Sequence, residues 1–175
     1  MSLTIATEAP PFDLPGVDGR NHSLDDYADA PILAIVLSCN HCPYVFAWEG
    51  WMKALQDDYA DRGFRLVAIS SNDAENYPAD SFEAMKARAA EQGFNFDYLY
   101  DEDQSVARSY GPERTPEVFL FDRNRRLVYH GAIDDNREEE SASEHYLRDA
   151  IEALLEDRDP PVSETPAVGC SVKWR

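Results

Sequence analysis

The sequence predicts an α/β fold, a central mixed β-sheet of about four or five strands with helices on both faces. Three stretches carry that expectation. Pro31-Ile32-Leu33-Ala34-Ile35-Val36-Leu37 is an apolar run rich in branched residues, read as a buried strand. Val45, Trp48, Met52, Leu55 and Tyr59 then recur at alternating steps of three and four, the stripe of an amphipathic helix. Arg65 to Ser71 reads as the next strand. Together these form a β-α-β unit, and hence a parallel strand pair.

The remaining elements follow in chain order. Pro10, Pro11, Pro15, Gly16 and Gly19 punctuate short apolar pieces, which predicts a small N-terminal hairpin, and Ser23 is placed to cap the segment Leu24 to Tyr27. Gly63 is the expected C-cap of the first long helix. An extra segment comes after Asn72. Ser81 to Gln92 is helical in composition, with Phe82, Met85 and Ala89 on one face and Gly93 closing it. Phe94 to Tyr100 alternates like a half-buried strand, and Asp101 is placed to cap a helix from about Glu102 to Tyr110. Glu117 to Asp122 and Leu127 to Ile133 predict an antiparallel hairpin. Glu138-Glu139-Glu140 reads as a solvated loop or helix start. A last helix from Ser143 to Glu156 buries Leu147, Ile151, Leu154 and Leu155, and the tail, with Pro160, Pro161 and Pro166, is expected to be extended. The whole chain, 1–175, reads as one domain, with a core over 9–156 and a C-terminal tail over 157–175.

Composition narrows the function. The 34 acidic residues outnumber 16 basic ones, giving a formal charge of −18, and only Lys53, Lys86 and Lys173 are lysines. So acidic a protein repels nucleic acid and anionic membrane, and neither is expected as a partner. The balance fits a salt-adapted cell and, equally, a merely acidic protein. No apolar run approaches the length of a membrane span, and three cysteines do not make a secreted disulfide scaffold. A cytoplasmic location is the expectation.

The chemistry points to Ser38-Cys39-Asn40-His41-Cys42-Pro43, a C-x-x-C between the predicted strand and helix. Cys39 is expected at or just before the helix N-terminus, where free N–H groups and the dipole favour a thiolate. Two thiols so spaced can close a disulfide. Cys39 is the expected nucleophile and Cys42 the cysteine that resolves the mixed disulfide. An imidazolium at His41 would stabilise the Cys39 thiolate and make the disulfide more oxidising; an exposed turn residue of little influence is the plainer alternative.

The C-x-x-C between strand and helix, with Thr115-Pro116 before Glu117 to Asp122, resembles the thioredoxin superfamily. The opening Ala9-Pro10-Pro11-Phe12-Asp13-Leu14 and the insertion before Thr115-Pro116 are similar to its peroxiredoxin-like, AhpC/TSA-related branch. The resemblance implies a thioredoxin-like fold over about residues 9–156, with Thr115 and a cis Pro116 packed beside the cysteine pair. It implies a thiol–disulfide oxidoreductase that exchanges a Cys39–Cys42 disulfide with thiol or disulfide substrates and is served by a reducing partner such as thioredoxin or a small thiol. No cofactor is required, because the electrons reside in the thiols.

Two other functions stay open. The first is a thiol peroxidase, a peroxiredoxin-like antioxidant. Peroxiredoxins carry P-x-x-x-T/S-x-x-C, and anchored on Cys42 this chain offers Ile35 and Cys39 at the first two places, so the hydroxyl that orients peroxide is missing. The second is a non-catalytic thiol-pair binding module. Cys170, on the tail beside Trp174, is a candidate resolving cysteine, or else a bystander. Cys39, His41 and Cys42 with Cys170, His130 or His145 could supply soft metal ligands, but no second cluster supports them and no metal is expected. His22 likewise reads as a surface or core histidine.

Overall fold

The computed structural model describes residues 1–138 and 142–175. Glu139 and Glu140 of the predicted acidic loop therefore lie outside the described residues. The sheet has five strands in the order β5-β4-β3-β7-β8. At its centre β3 (Ile32–Ser38) runs parallel to β4 (Phe64–Ser70) and antiparallel to β7 (Glu117–Phe121). Beyond them, β5 (Asp97–Tyr100) is parallel to β4, and β8 (Leu127–Gly131) is antiparallel to β7. The predicted mixed sheet is thus the one observed.

Alternation along the strands divides the core. Ile32, Ala34 and Val36 of β3, with Leu66 and Ala68 of β4, face α1 (Pro43–Tyr59), α2 (Phe82–Gln92) and α4 (Tyr146–Leu155). Leu33, Ile35 and Leu37 face the other way, toward the N-terminal hairpin of β1 (Asp13–Pro15) and β2 (Asn21–Ser23) and toward α3 (Ser105–Tyr110). Every residue of β3 is buried, as a strand covered on both faces must be.

Local signals explain the element ends. Gly63 and Gly93 take left-handed conformations at the ends of the α1 region and α2, and the Ser81 hydroxyl accepts the Ala84 N–H to cap α2. Three element starts move furthest from expectation. Strand β5 begins at Asp97, because Phe94 and Phe96 stack on each other, centroids 4.6 Å apart, instead of pairing. Helix α3 begins at Ser105, although Asp101 still caps it, accepting the Val106 and Ala107 N–H groups across an intervening turn. Helix α4 begins at Tyr146.

The tail is extended and folds back over the sheet edge. Cys170–Ser171 forms β9, paired antiparallel with β6 (Arg114–Thr115), Cys170 opposite Thr115.

Candidate active site

Strand β3 ends at Ser38, and α1 begins at Pro43. Proline at the first helical position is pre-set for the turn and lacks only an N–H that would be unpaired there. The N-cap is therefore Cys42, and Cys39 stands on the loop before it. This corrects the expected placement: the free amide groups and the positive dipole end lie at Cys42.

The two cysteines are equally buried. Cys39 is 1% exposed and Cys42 0%. Both sulfurs lie against the Thr115-Pro116 turn, whose peptide bond is cis. Cys39 Sγ is 3.5 Å from Thr115 Oγ1, and Cys42 Sγ is 3.4 Å from the Thr115 carbonyl oxygen. Cys170 completes a sulfur cluster, its Sγ 2.6 Å from that of Cys42.

The three thiols differ in acidity. Hydrogen bonding from Cys39, and then from the Cys170 thiol and the amides of Val45 and Cys170, holds the Cys42 pKa down to about 4 against the opposing effect of burial. The Cys39 thiol is pushed up, first because it shares its proton with Cys42, then by burial and by the nearby Asp80 carboxylate. Burial and the bond to Cys42 raise Cys170 to about 11. These are properties of a coupled set and not of any single thiol.

The His41 imidazole faces Asp80. Its Nδ1 lies 2.5 Å from Asp80 Oδ2, close but not aligned for a hydrogen bond, and its ring stacks on Tyr77 at 5.8 Å. The fully buried Asp80 also accepts the Asn40 N–H at 2.6 Å and the Asn72 amide at 3.0 Å. Asn40 in turn accepts the Tyr98 hydroxyl at 2.8 Å. An imidazolium here faces a carboxylate, which offsets its effect on the sulfur.

Asp80, Asn40 and Tyr98 are the site residues that sequence reasoning missed. Asp80 belongs to a 3-10 turn, Pro78–Asp80, within the insertion, where nothing in its spacing marks it. Ligand atoms of Cys39, His41 and Asp80 lie within 4.8 Å of one another, a set able to approach a metal ion. Each is already engaged in the thiol or carboxylate contacts above. Among the remaining histidines, His130 meets the buried Glu117 at 2.5 Å, and His22 meets Asp18 at 2.9 Å, both away from the thiols. No helix among the described residues is long and apolar enough to cross a membrane.

Comparison with known proteins agrees with this geometry. Residues 5–130 match the AhpC/TSA family. The solved structure of an uncharacterized conserved protein from Geobacillus kaustophilus is 42% identical, with a TM-score of 0.93 over 98% of this chain and 93% of that one. A hypothetical protein from Sinorhizobium meliloti 1021 is 38% identical, with a TM-score of 0.94 over 100% of this chain and 97% of that one. The thiol-disulfide oxidoreductase ResA of Geobacillus thermodenitrificans is 24% identical over 128 residues, 72% of this chain and 68% of that protein.

Proposed function

The chain belongs to the AhpC/TSA family, and on that premise we propose that it is a thiol–disulfide oxidoreductase whose working couple is Cys39 and Cys42. One observation carries the proposal: two buried thiols at a helix start, both pressed against a cis Thr-Pro turn. Oxidation joins the two sulfurs and releases two electrons and two protons to a substrate disulfide. In the reverse direction, a thiolate attacking Cys39 expels Cys42, whose low pKa makes it the better leaving group. Substrates are thiols and disulfides, with thioredoxin or a small thiol as reducing partner. The name of ResA supports the same chemistry. A cytoplasmic setting belongs to this reading, since three free cysteines build no secreted scaffold.

The lowered pKa of Cys42 is what favours a thiol peroxidase, because a thiolate attacks peroxide. Its complete burial and the cysteine at the Thr/Ser position oppose that reading.

The test is a titration against glutathione redox buffers with thiols trapped by alkylation. A two-electron transition that joins Cys39 to Cys42 is expected, and that disulfide is absent in both Cys39→Ser and Cys42→Ser. Thiols that titrate independently overturn the exchange reading, and rapid peroxide turnover by Cys39→Ser moves the assignment to a peroxidase.

A further inference from the structure

Cys170 reaches the site on a strap fastened at three places. Near its start, His130 N–H donates to the Ser163 carbonyl and Thr165 N–H to the His130 carbonyl, both at 3.0 Å. At its middle, β9 pairs with β6 beside the cis turn. Beyond that, Lys173 N–H donates to Asn72 Oδ1, while the Lys173 carbonyl accepts the Asp73 N–H and the Gln104 amide, each at 2.9 Å. Trp174 closes the strap under the Arg108 guanidinium, 5.2 Å from its ring centroid.

The strap has a consequence for access. Cys39 and Cys42 are both buried, whereas Cys170 keeps part of its surface in solvent. Attack on a disulfide requires an in-line approach to one sulfur, and the cover over the pair restricts that approach for an external thiolate. Only Cys170 combines contact with the buried pair and contact with water.

We propose that Cys170 is a working member of the redox site, exchanging with the Cys39–Cys42 disulfide to form a Cys42–Cys170 disulfide through which external thiols reduce the protein. The inference rests on the exchange chemistry proposed for Cys39 and Cys42. In the first step Cys170 gives up its proton, its sulfur bonds to Cys42, and the Cys39–Cys42 bond breaks. The electron pair leaves on Cys39, which takes up a proton. No oxidant is consumed, because one disulfide replaces another. In the second step an external thiolate bonds to the Cys170 sulfur and the electron pair leaves on Cys42, the sulfur best able to hold it. A second external thiol then takes the mixed disulfide, giving an external disulfide and the reduced Cys170.

Disulfide mapping tests this on the full chain. No Lys or Arg lies between Arg20 and Lys53, so trypsin leaves Cys39 and Cys42 on one peptide and Cys170 on another. Protein oxidised with glutathione disulfide is acid-quenched, alkylated and digested without reductant. The wild type is expected to yield a cross-linked peptide pair besides the internal loop, and Cys39→Ser to yield Cys42–Cys170 as its disulfide. Cys170→Ser keeps the Cys39–Cys42 loop but is reduced by glutathione at least about tenfold more slowly. A Cys39–Cys42 loop with no cross-link, or wild-type reduction of Cys170→Ser, overturns the role of Cys170 and leaves the exchange function standing. No disulfide in any variant overturns both.

Discussion

Gly169 lies so close to Thr115 that a Cβ at this glycine would collide with the Thr115 carbonyl oxygen. The strap can therefore press Cys170 onto the cis turn only because the preceding residue has no side chain. A second close approach anchors the same strap upstream, where a Cβ on Gly131 would strike Thr165. The strap is thus fitted to the turn that holds the two buried thiols.

Gly169→Ala is expected to lift the strap locally while leaving the sheet intact. Carbonyl and methyl cannot share that space, and a two-residue pairing such as β6–β9 yields before a five-stranded core does. Alkylation of Cys39 and Cys42 in the reduced protein should speed up severalfold, with an unchanged far-ultraviolet dichroism spectrum. Unaltered alkylation rates would show that the strap does not control access to the pair.

Asp80 sets the second prediction. Because Cys39 and Cys42 share one proton, the carboxylate that raises Cys39 also opposes the thiolate of the pair, so Asp80→Asn should favour that thiolate, stabilise the reduced state and raise the midpoint potential by about 30 mV, one tenfold step. Removing the imidazole in His41→Ala leaves the carboxylate uncompensated and should lower the potential. If the two side chains act as the pair their contact describes, the effect of His41→Ala shrinks by more than half in an Asp80→Asn background. Equal effects of His41→Ala in both backgrounds would mean that the imidazole acts on sulfur directly.

What the sequence disclosed follows from range. The apolar runs of β3, β4 and β7 are local patterns, and each appears as a strand. The C-x-x-C loop is likewise local, whereas its partner Thr115-Pro116, 73 positions beyond Cys42, was placed beside it only by the resemblance to the thioredoxin superfamily. One local signal was misread: Pro43 at the first helical position names Cys42 as the cap and so moves the thiolate-favouring field away from Cys39. Asp80 and the strap had no such signal. Asp80 gains its meaning from the loop forty residues earlier, through the Asn40 N–H. Cys170 gains its meaning from Cys42, 128 positions before it. Contacts of that kind are set by the tertiary fold and leave no periodicity in the chain.

The Cys42 thiolate also predicts how the stability of the reduced protein depends on pH. Its pKa falls from about 8.5 in the unfolded chain to about 4 in the folded one. A lowered value contributes stability that is complete above about 8.5 and disappears as pH falls through about 4. Cys39 and Cys170 are raised, so both stay protonated in the folded state across that window, and in the unfolded chain they ionise only toward its upper end. Urea unfolding of the reduced wild type and of Cys42→Ala is expected to give a stability difference that grows steadily from pH 4 to pH 8. Carboxylate titration is common to both proteins and cancels. A difference independent of pH would place the proton on Cys42 in the folded state.

The excess of acidic residues gives the last prediction. With a formal charge of −18, the folded chain carries a self-repulsion that its arginine pairs offset only locally, as at Arg65–Asp97, 3.1 Å, and Arg148–Asp58, 2.8 Å. Those pairs are partly exposed, so salt weakens them too. The repulsion acts over longer distances than the pairs and should dominate, since the screening length falls from about 30 Å at 0.01 M salt to about 10 Å at 0.1 M. The thermal midpoint is therefore expected to rise with sodium chloride, most steeply below about 0.1 M, where screening changes fastest. The bidentate Arg88–Glu49 contact, 2.8 Å at Nε, is largely buried between α1 and α2 and should survive that range. A midpoint that is flat or falls over the same range would mean that the local pairs outweigh the net charge, and would remove salt adaptation as a reason for the acidity.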